Sequence, residues 1–251
     1  MKMVQAWAPE PFPEITPGDD LVGAIADALR NNGVAPQAGD VVIVAHKVVS
    51  KAEGHVVDLS TITPGPEALR LSGEASKDPR LVEVILRESK SIRRVRPGLI
   101  IAEHWLGFVC ANAGVDHSNV GLGDDVVALL PKDPDASAGR VRAGLLARFG
   151  VDVAVIVNDS HGRPFRQGTT GVAIGASGLR VLRSYVGEED RYGYVLRVSI
   201  EAVADECAGL ANLLQGQGAE GTPLVLIRGL HHAGVGPAAD LVRPEDEDLF
   251  R

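Results

Sequence analysis

"VDVAVIVNDSHGRPFRQGTTG", Val151 to Gly171, decides how the chain is read. It opens with the apolar run "VDVAVIV", a buried strand by its continuity. The part that follows, Asn158 to Gly171, packs an acid, three hydroxyls, an imidazole, two guanidinium groups and three glycines into fourteen residues. Taken alone it is a polar turn after a strand. Working outward, "DDLVGAIADALRNNG" places Leu21, Ile25 and Leu29 at spacings of four, between acids and an Asn-Gly stop, and predicts a capped amphipathic helix. Val41 to Ala45 is a buried strand that runs into a polar segment carrying His46, Lys47, Ser50 and Lys51. "DPRLVEVILRESKSIRRV" has the helical period, "GLIIAEHWLGFVCANAG" reads as two strands turning near Trp105 to Gly107, and "DASAGRVRAGLLARFG" is a helix closed by Gly150. The longest helix is expected in "SIEAVADECAGLANLLQ", ahead of a late strand in "TPLVLIRGL" and a charged tail. Strands and helices interleave without regular βαβ alternation, and several strands follow one another directly. The expected fold class is therefore α+β, with mixed, largely antiparallel sheets and packed helices in two intimate subdomains.

Composition narrows the function. The chain has 251 residues, 45% hydrophobic and 23% charged, with a formal charge of −8. An acidic balance argues against nucleic acid and anionic membrane as partners, since both need a cationic surface. Cys110 and Cys207 sit in apolar stretches without zinc-ligand spacing and read as buried thiols of a reducing compartment. The N-terminus lacks a long apolar segment, and no apolar run approaches the roughly twenty residues that span a bilayer. A cytoplasmic protein is expected.

No GxxxxGK[ST] phosphate loop occurs. "GQGAEG", with Gly216, Gly218 and Gly221, spells GxGxxG but follows a helix and precedes a strand, the reverse of the dinucleotide fingerprint. It is either a C-capping turn or a loop whose backbone amides approach an anion. Asp159, Ser160 and His161 are adjacent on an extended segment and point in alternate directions, which excludes a nucleophile–base–orienter triad. Asp159 and Ser160 instead offer oxygens to a hard divalent cation, and Arg163 and Arg166 suit phosphate or carboxylate groups. Asp116 and Asn119, in "CANAGVDHSNVG", form either an Asx turn or a second oxygen site. Lys47 and Lys51 are either solvated charges or the neutralising cations of a triphosphate.

Taken together, "PEITPGDDL", "VVIVAHKVVSKAEG", "VCANAGVDHSNV", "VIVNDSHGRPFRQGTTGVAIG" and "VADECAGLANLLQGQGAEGTPLVLIRGL", in that order, closely resemble the family of coenzyme F-420 gamma-glutamyl ligases. The resemblance implies GTP-dependent amide formation with magnesium or manganese, in a homodimer. It implies GTP contacts from Phe12, Pro13, Glu14 and Ile15, from His46, Lys51 and Asn119, and from the loop Gln215, Gly216, Gln217, Gly218, Ala219, Glu220, Gly221 and Thr222. One metal would be held by Asp116 and Asp159, a second through Ser160 and Gln217. Gln217 stands where the family often has an acid and is a weaker, neutral ligand; Ser160 replaces a common threonine and keeps the hydroxyl. Lys51, Arg163 and Arg166 are the residues expected to stabilise developing charge. No general base is assigned, and His161 is expected to make a local turn contact.

The substrates implied are GTP, L-glutamate and the deazaflavin coenzyme F-420 precursor, joined through an acyl phosphate; two divalent cations, with an optional monovalent one, complete the cofactor set. Many relatives carry a C-terminal flavin-binding, nitroreductase-like domain; residues 1–251 are expected to form a single ligase domain without it and without FMN. Two rival readings remain open. One is a metal-dependent phosphohydrolase or phosphotransferase acting on a nucleotide; the other is a nucleotide-binding regulatory module.

Overall fold

The computed structural model describes residues 2–230 and 234–248. The first elements are β1 (Gln5–Trp7), α1 (Leu21–Asn31), β2 (Val41–Ala45), α2 (His46–Ala52), β3 (Val56–Asp58), α3 (Pro66–Ala75) and α4 (Pro79–Arg87). Next come β4 (Ser89–Arg96), β5 (Leu99–His104), β6 (Val109–Ala111), β7 (Val126–Ala128) and α5 (Pro134–Phe149). Last are β8 (Ala154–Arg163), β9 (Arg166–Ser177), β10 (Arg183–Ser184), β11 (Ile200–Glu201), α6 (Val203–Gln215) and β12 (Leu224–Arg228).

The main sheet has the order β1-β12-β2-β8-β9, in which β2 and β8 run parallel and every other neighbour is antiparallel. Its central strands are apolar at successive positions because both faces are covered. Val42, Val44, Val155 and Val157 pack on one face against Ile25 and Leu29 of α1 and Leu145 of α5. Val41, Ile43, Ala154 and Ile156 pack on the other against Cys207 and Ala211 of α6. A separate core, with Leu71, Val82, Ile85, Ile100 and Val127, holds α3 and α4 to the β4-β5-β6 sheet and the β3-β7 pair. The fold is α+β, as the interleaving predicts, with one parallel pair in a largely antiparallel set.

Local chemistry explains the ends. Asp20 caps α1 by accepting from the Gly23 amide, and Asp133 caps α5 by accepting from Ala136. Gly150, at φ 68°, closes α5 as expected. Several expectations are corrected. The polar segment after β2, to which the sequence assigns no element, is helix α2, which turns His46, Ser50 and Lys51 inward. Helix α4 ends at Arg87, and Ser89–Arg96 is strand β4. The stretch from Ser199 starts as strand β11, so α6 has 13 residues and α5, with 16, is longer. Helix α3 was not anticipated, although Pro66 at its first turn and the buried Ala68, Leu71 and Ala75 carry its signal.

The largest correction concerns Asn158–Gly171. It is not a turn after a strand but the body of a β-hairpin: β8 continues to Arg163, and β9 begins at Arg166. Only Pro164 and Phe165 intervene, with Phe165 at φ 60°. Gly171 faces α6 so closely that a Cβ there would lie 2.1 Å from the Ala208 carbonyl oxygen. That glycine admits a helix, not a ligand.

Candidate active site

Five segments far apart in sequence line one cavity of ≈ 540 Å³ where the end of β2 meets the middle of β8. Phe12, Pro13, Glu14 and Ile15 enter from the N-terminal segment, and His46, Lys47 and Lys51 from α2. Asp116, Ser118 and Asn119 come from the turn before β7, and Asn158, Asp159 and Ser160 from β8. Gln215, Gly216, Gln217, Gly218, Ala219, Gly221 and Thr222 close it after α6.

The strand alternation assigns the β8 side chains. Asn158 and Ser160 face α6: Asn158 is buried and exchanges hydrogen bonds with Gln215 at 2.8 and 3.2 Å, while Ser160 Oγ donates to Gln217 Oε1 at 3.0 Å. Asp159 faces the opposite way, with Oδ1 3.3 Å from His46 Nε2 and Oδ2 3.1 Å from His161 Nε2. The His46 contact is off the hydrogen-bond direction, and both His46 ring nitrogens are buried without a hydrogen-bond partner among the described residues. Burial would raise the Asp159 pKa, yet the nearby His46 and His161 hold it well below the usual carboxylate range. Burial likewise disfavours a charged His161, but its bonds to Asp159 and the Cys110 side chain outweigh that and lift its pKa to about 10. His161 therefore contacts a strand neighbour two residues away rather than a turn.

On the facing wall, Asp116 Oδ1 accepts from the Ser118 amide and hydroxyl at 2.8 and 2.9 Å, an Asx turn, while Oδ2 meets Lys47 Nζ at 2.8 Å. Of the two readings of this turn, the Asx turn is the one present. Burial pushes the Asp116 carboxyl up, and Lys47 and Ser118 more than reverse that, leaving it lowered. Asn119, at φ 55°, donates to the Gly218 carbonyl at 2.9 Å and so ties this turn to the glycine loop. Lys51 is buried; its ammonium pairs with Glu14 and donates to the Val120 carbonyl at 3.0 Å. The wall thus combines carboxylates, a hydroxyl, amides and two lysines.

Some expected residues fall elsewhere. Arg163 and Arg166 flank the hairpin tip, exposed and outside the cavity, where Arg163 donates to the Gln167 carbonyl at 3.3 Å. Glu220 folds back to accept from the Gly218 amide and does not line the cavity. The Thr222 hydroxyl is spent on the Leu214 and Gln215 carbonyls at the end of α6. Asn158, Ser118 and Asn212 were missed; for Asn158 the signal was a polar residue closing an apolar run next to a candidate acid.

The donor set bears on a metal. Among the described residues no group of three or more His, Cys, Asp or Glu side chains forms a metal cage. The oxygens of Asp159, Asp116, Ser160 and Gln217 nevertheless share one cavity, and hard oxygen donors suit magnesium or manganese, which keep open positions for water and phosphate. The residues fit such an ion.

Oxygen donors and lysines converge on one cavity of an α+β fold, a set of side chains whose chemistry suits phosphate groups. The family model described as F420-0:Gamma-glutamyl ligase matches residues 11–229, and the chain belongs to that family. It is 48% identical over 250 residues to the coenzyme F420:L-glutamate ligase of Methanopyrus kandleri, covering 96% of each chain. It is 44% identical over 245 residues to the protein of that name from Methanothermobacter thermautotrophicus, again covering 96% of each. With the one from Archaeoglobus fulgidus it shares 40% over 248 residues, covering 99% of this chain and 96% of the relative.

Proposed function

We propose that the chain is a GTP-dependent ligase that joins L-glutamate to the deazaflavin coenzyme F420 precursor, then extends a gamma-linked glutamate tail. The observation that carries this reading is the convergence of five distant segments on one cavity whose donors suit a triphosphate. The relatives' printed function supports it from the other side.

A carboxylate does not react with an amine at neutral pH because its leaving group would be oxide. Transfer of the terminal phosphoryl group of GTP to that oxygen makes a phosphate leaving group and releases GDP. The glutamate amine then attacks the acyl carbon, the carbon–oxygen bond to phosphate breaks, and an amide remains. In this chain Lys47 and Lys51 offset the triphosphate charge, and Asn119 braces the Gly216–Gly221 loop against it. The Asn158–Gln215 pair holds that loop to the middle of β8. Phe12, Pro13 and Ile15 supply the apolar wall. Asp116, Asp159, Ser160 and Gln217 would hold the divalent ions, with an optional monovalent ion beside them. Bound there, a divalent ion supplies electrostatic relief between triphosphate and attacking carboxylate.

The same reading makes the chain one ligase unit of two subdomains, working as a cytoplasmic homodimer. Support for the dimer comes from the arm between β10 and β11 and the first residue of β11, where Tyr192, Tyr194, Val198 and Ile200 stand exposed; exposed apolar surface of this kind marks protein contacts. No described helix is long and apolar enough to cross a membrane.

The test is incubation with GTP, magnesium or manganese, L-glutamate and the unglutamylated deazaflavin, read by mass. Addition of glutamate supports the ligase. Absence of any mass increment with folded protein under either metal overturns it, and phosphate release independent of glutamate points to a phosphohydrolase.

A further inference from the structure

A second, smaller cavity of ≈ 210 Å³ lies on the other side of His161 from the cleft. Its wall combines Phe108, Val172 and Leu241 with the basic side chains of His161 and Arg243 and the acidic ones of Asp205 and Asp248. Phe108 meets the His161 ring edge to face, with centroids 6.3 Å apart. His161 also reaches the cleft, through its 3.1 Å contact with Asp159. The two cavities have no lining residue in common, and the His161–Asp159 contact joins their walls.

Asp205 is the feature that asks for a ligand. It sits in the first turn of α6, where Oδ1 accepts from the Ala173 amide at 2.9 Å. Its Oδ2 receives no hydrogen bond among the described residues. Burial raises its pKa despite that bond and the charge of His161. Arg243 stands exposed at the rim. A lining with both signs of charge on an apolar floor rejects a polyanion and suits a small zwitterion. The volume is too small for the nucleotide that the larger cleft accommodates.

We infer that the cavity between Asp205 and Arg243 is the amino-acid subsite, in which Asp205 receives the ammonium of L-glutamate and Arg243 one of its carboxylates. The inference rests on the ligase reading above, and it supplies what that reading lacks, a place for the amine beside the cleft where the acyl phosphate forms. Asp205 is here a binding residue; the backbone bond from Ala173 is retained by asparagine.

The experiment is steady-state kinetics of the full chain with GTP, the deazaflavin precursor and L-glutamate varied in turn, for wild type, Asp205→Asn and Arg243→Met. The expected result is a glutamate KM raised about 10- to 100-fold in each variant, the loss typical of one charged hydrogen bond. The KM values for GTP and for the deazaflavin should stay within about twofold, since neither site residue lines the larger cleft. An unchanged glutamate KM in both variants overturns the subsite, and so does a parallel rise for all three substrates. Arg243 is exposed, so its variant folds even where Asp205→Asn does not. A wild-type protein without ligase activity refutes the ligase reading itself, an outcome distinct from active variants with normal glutamate KM.

Discussion

Gly171→Ala is the substitution whose effect the geometry states most directly. A Cβ at position 171 would lie 2.1 Å from the Ala208 carbonyl oxygen, 2.5 Å from its carbon and 2.9 Å from the Asn212 Cβ. Two of those atoms are helix backbone, so no rotamer change relieves the contact, and α6 must lift from β9. Overpacking of this kind costs about 1–3 kcal/mol and at times more. With backbone on both sides the upper part of that range applies, about 3 kcal/mol, which in a chain of this length lowers Tm by roughly 6–12 °C. The functional consequence follows from what α6 carries. Gln215 at its end is bonded to Asn158, and Gln217 beyond it to Ser160, so a lifted helix pulls the glycine loop off β8. Nucleotide affinity should fall along with stability. The assay is urea unfolding with a parallel GTP titration by calorimetry. Gly162→Ala is the control, because a Cβ there meets nothing within 4 Å; it should stay within about 0.5 kcal/mol of wild type. A Gly171→Ala protein as stable as the control, with unaltered GTP affinity, would refute the reasoning.

Other outcomes follow from the same geometry. Lys51→Met removes a buried ammonium from the cleft and should lower kcat/KM for GTP by about 10²- to 10³-fold, the scale of one lost charge-stabilising donor, while circular dichroism stays native; turnover within tenfold of wild type would contradict its role. Asp116→Ala or Asp159→Ala should abolish the dependence of GTP binding on magnesium, seen by titration with and without the ion, and retained dependence would remove both from the metal assignment. Arg163→Gln together with Arg166→Gln, at the exposed hairpin tip, should leave GTP affinity within about twofold and stability within about 0.5 kcal/mol; a large fall in GTP affinity would show that the hairpin reaches the nucleotide. Burial, with the charge of Glu206 beside it, pushes the Cys207 thiol up to about 12. Since only the thiolate reacts, mass spectrometry should find Cys207 unmodified by a thiol reagent at pH 8 in native protein and modified after unfolding; rapid native labelling would contradict the packing of α6.

Legibility in the sequence varied with the range of the interaction involved. The strands β2 and β12 and the helices α1 and α5 were readable because burial on both faces leaves continuous apolar runs, and caps such as Asp20 and Gly150 act within one turn. The α2 segment was not, because "HKVVSKA" suits strand or helix and its fate depends on where β2 ends against β8. The hairpin was hidden for a related reason. Asn158 to Gly162 is too polar for a sheet by composition, and only its pairing with β9 makes it strand.

The sequence by itself determined the fold class, the two buried thiols and a set of residue types suited to phosphate, because these follow from local periodicity and side-chain chemistry. It also carried the family, through motifs spread along the chain. The tertiary structure alone decided which of those residues meet. Asp116 and Asp159 lie on facing parts of one cleft, while Arg163 and Arg166, a few residues beyond Asp159, lie outside it. The reason is geometric: β8 rises about 3.3 Å per residue, so a run that looks like one cluster in sequence extends along the sheet away from the site.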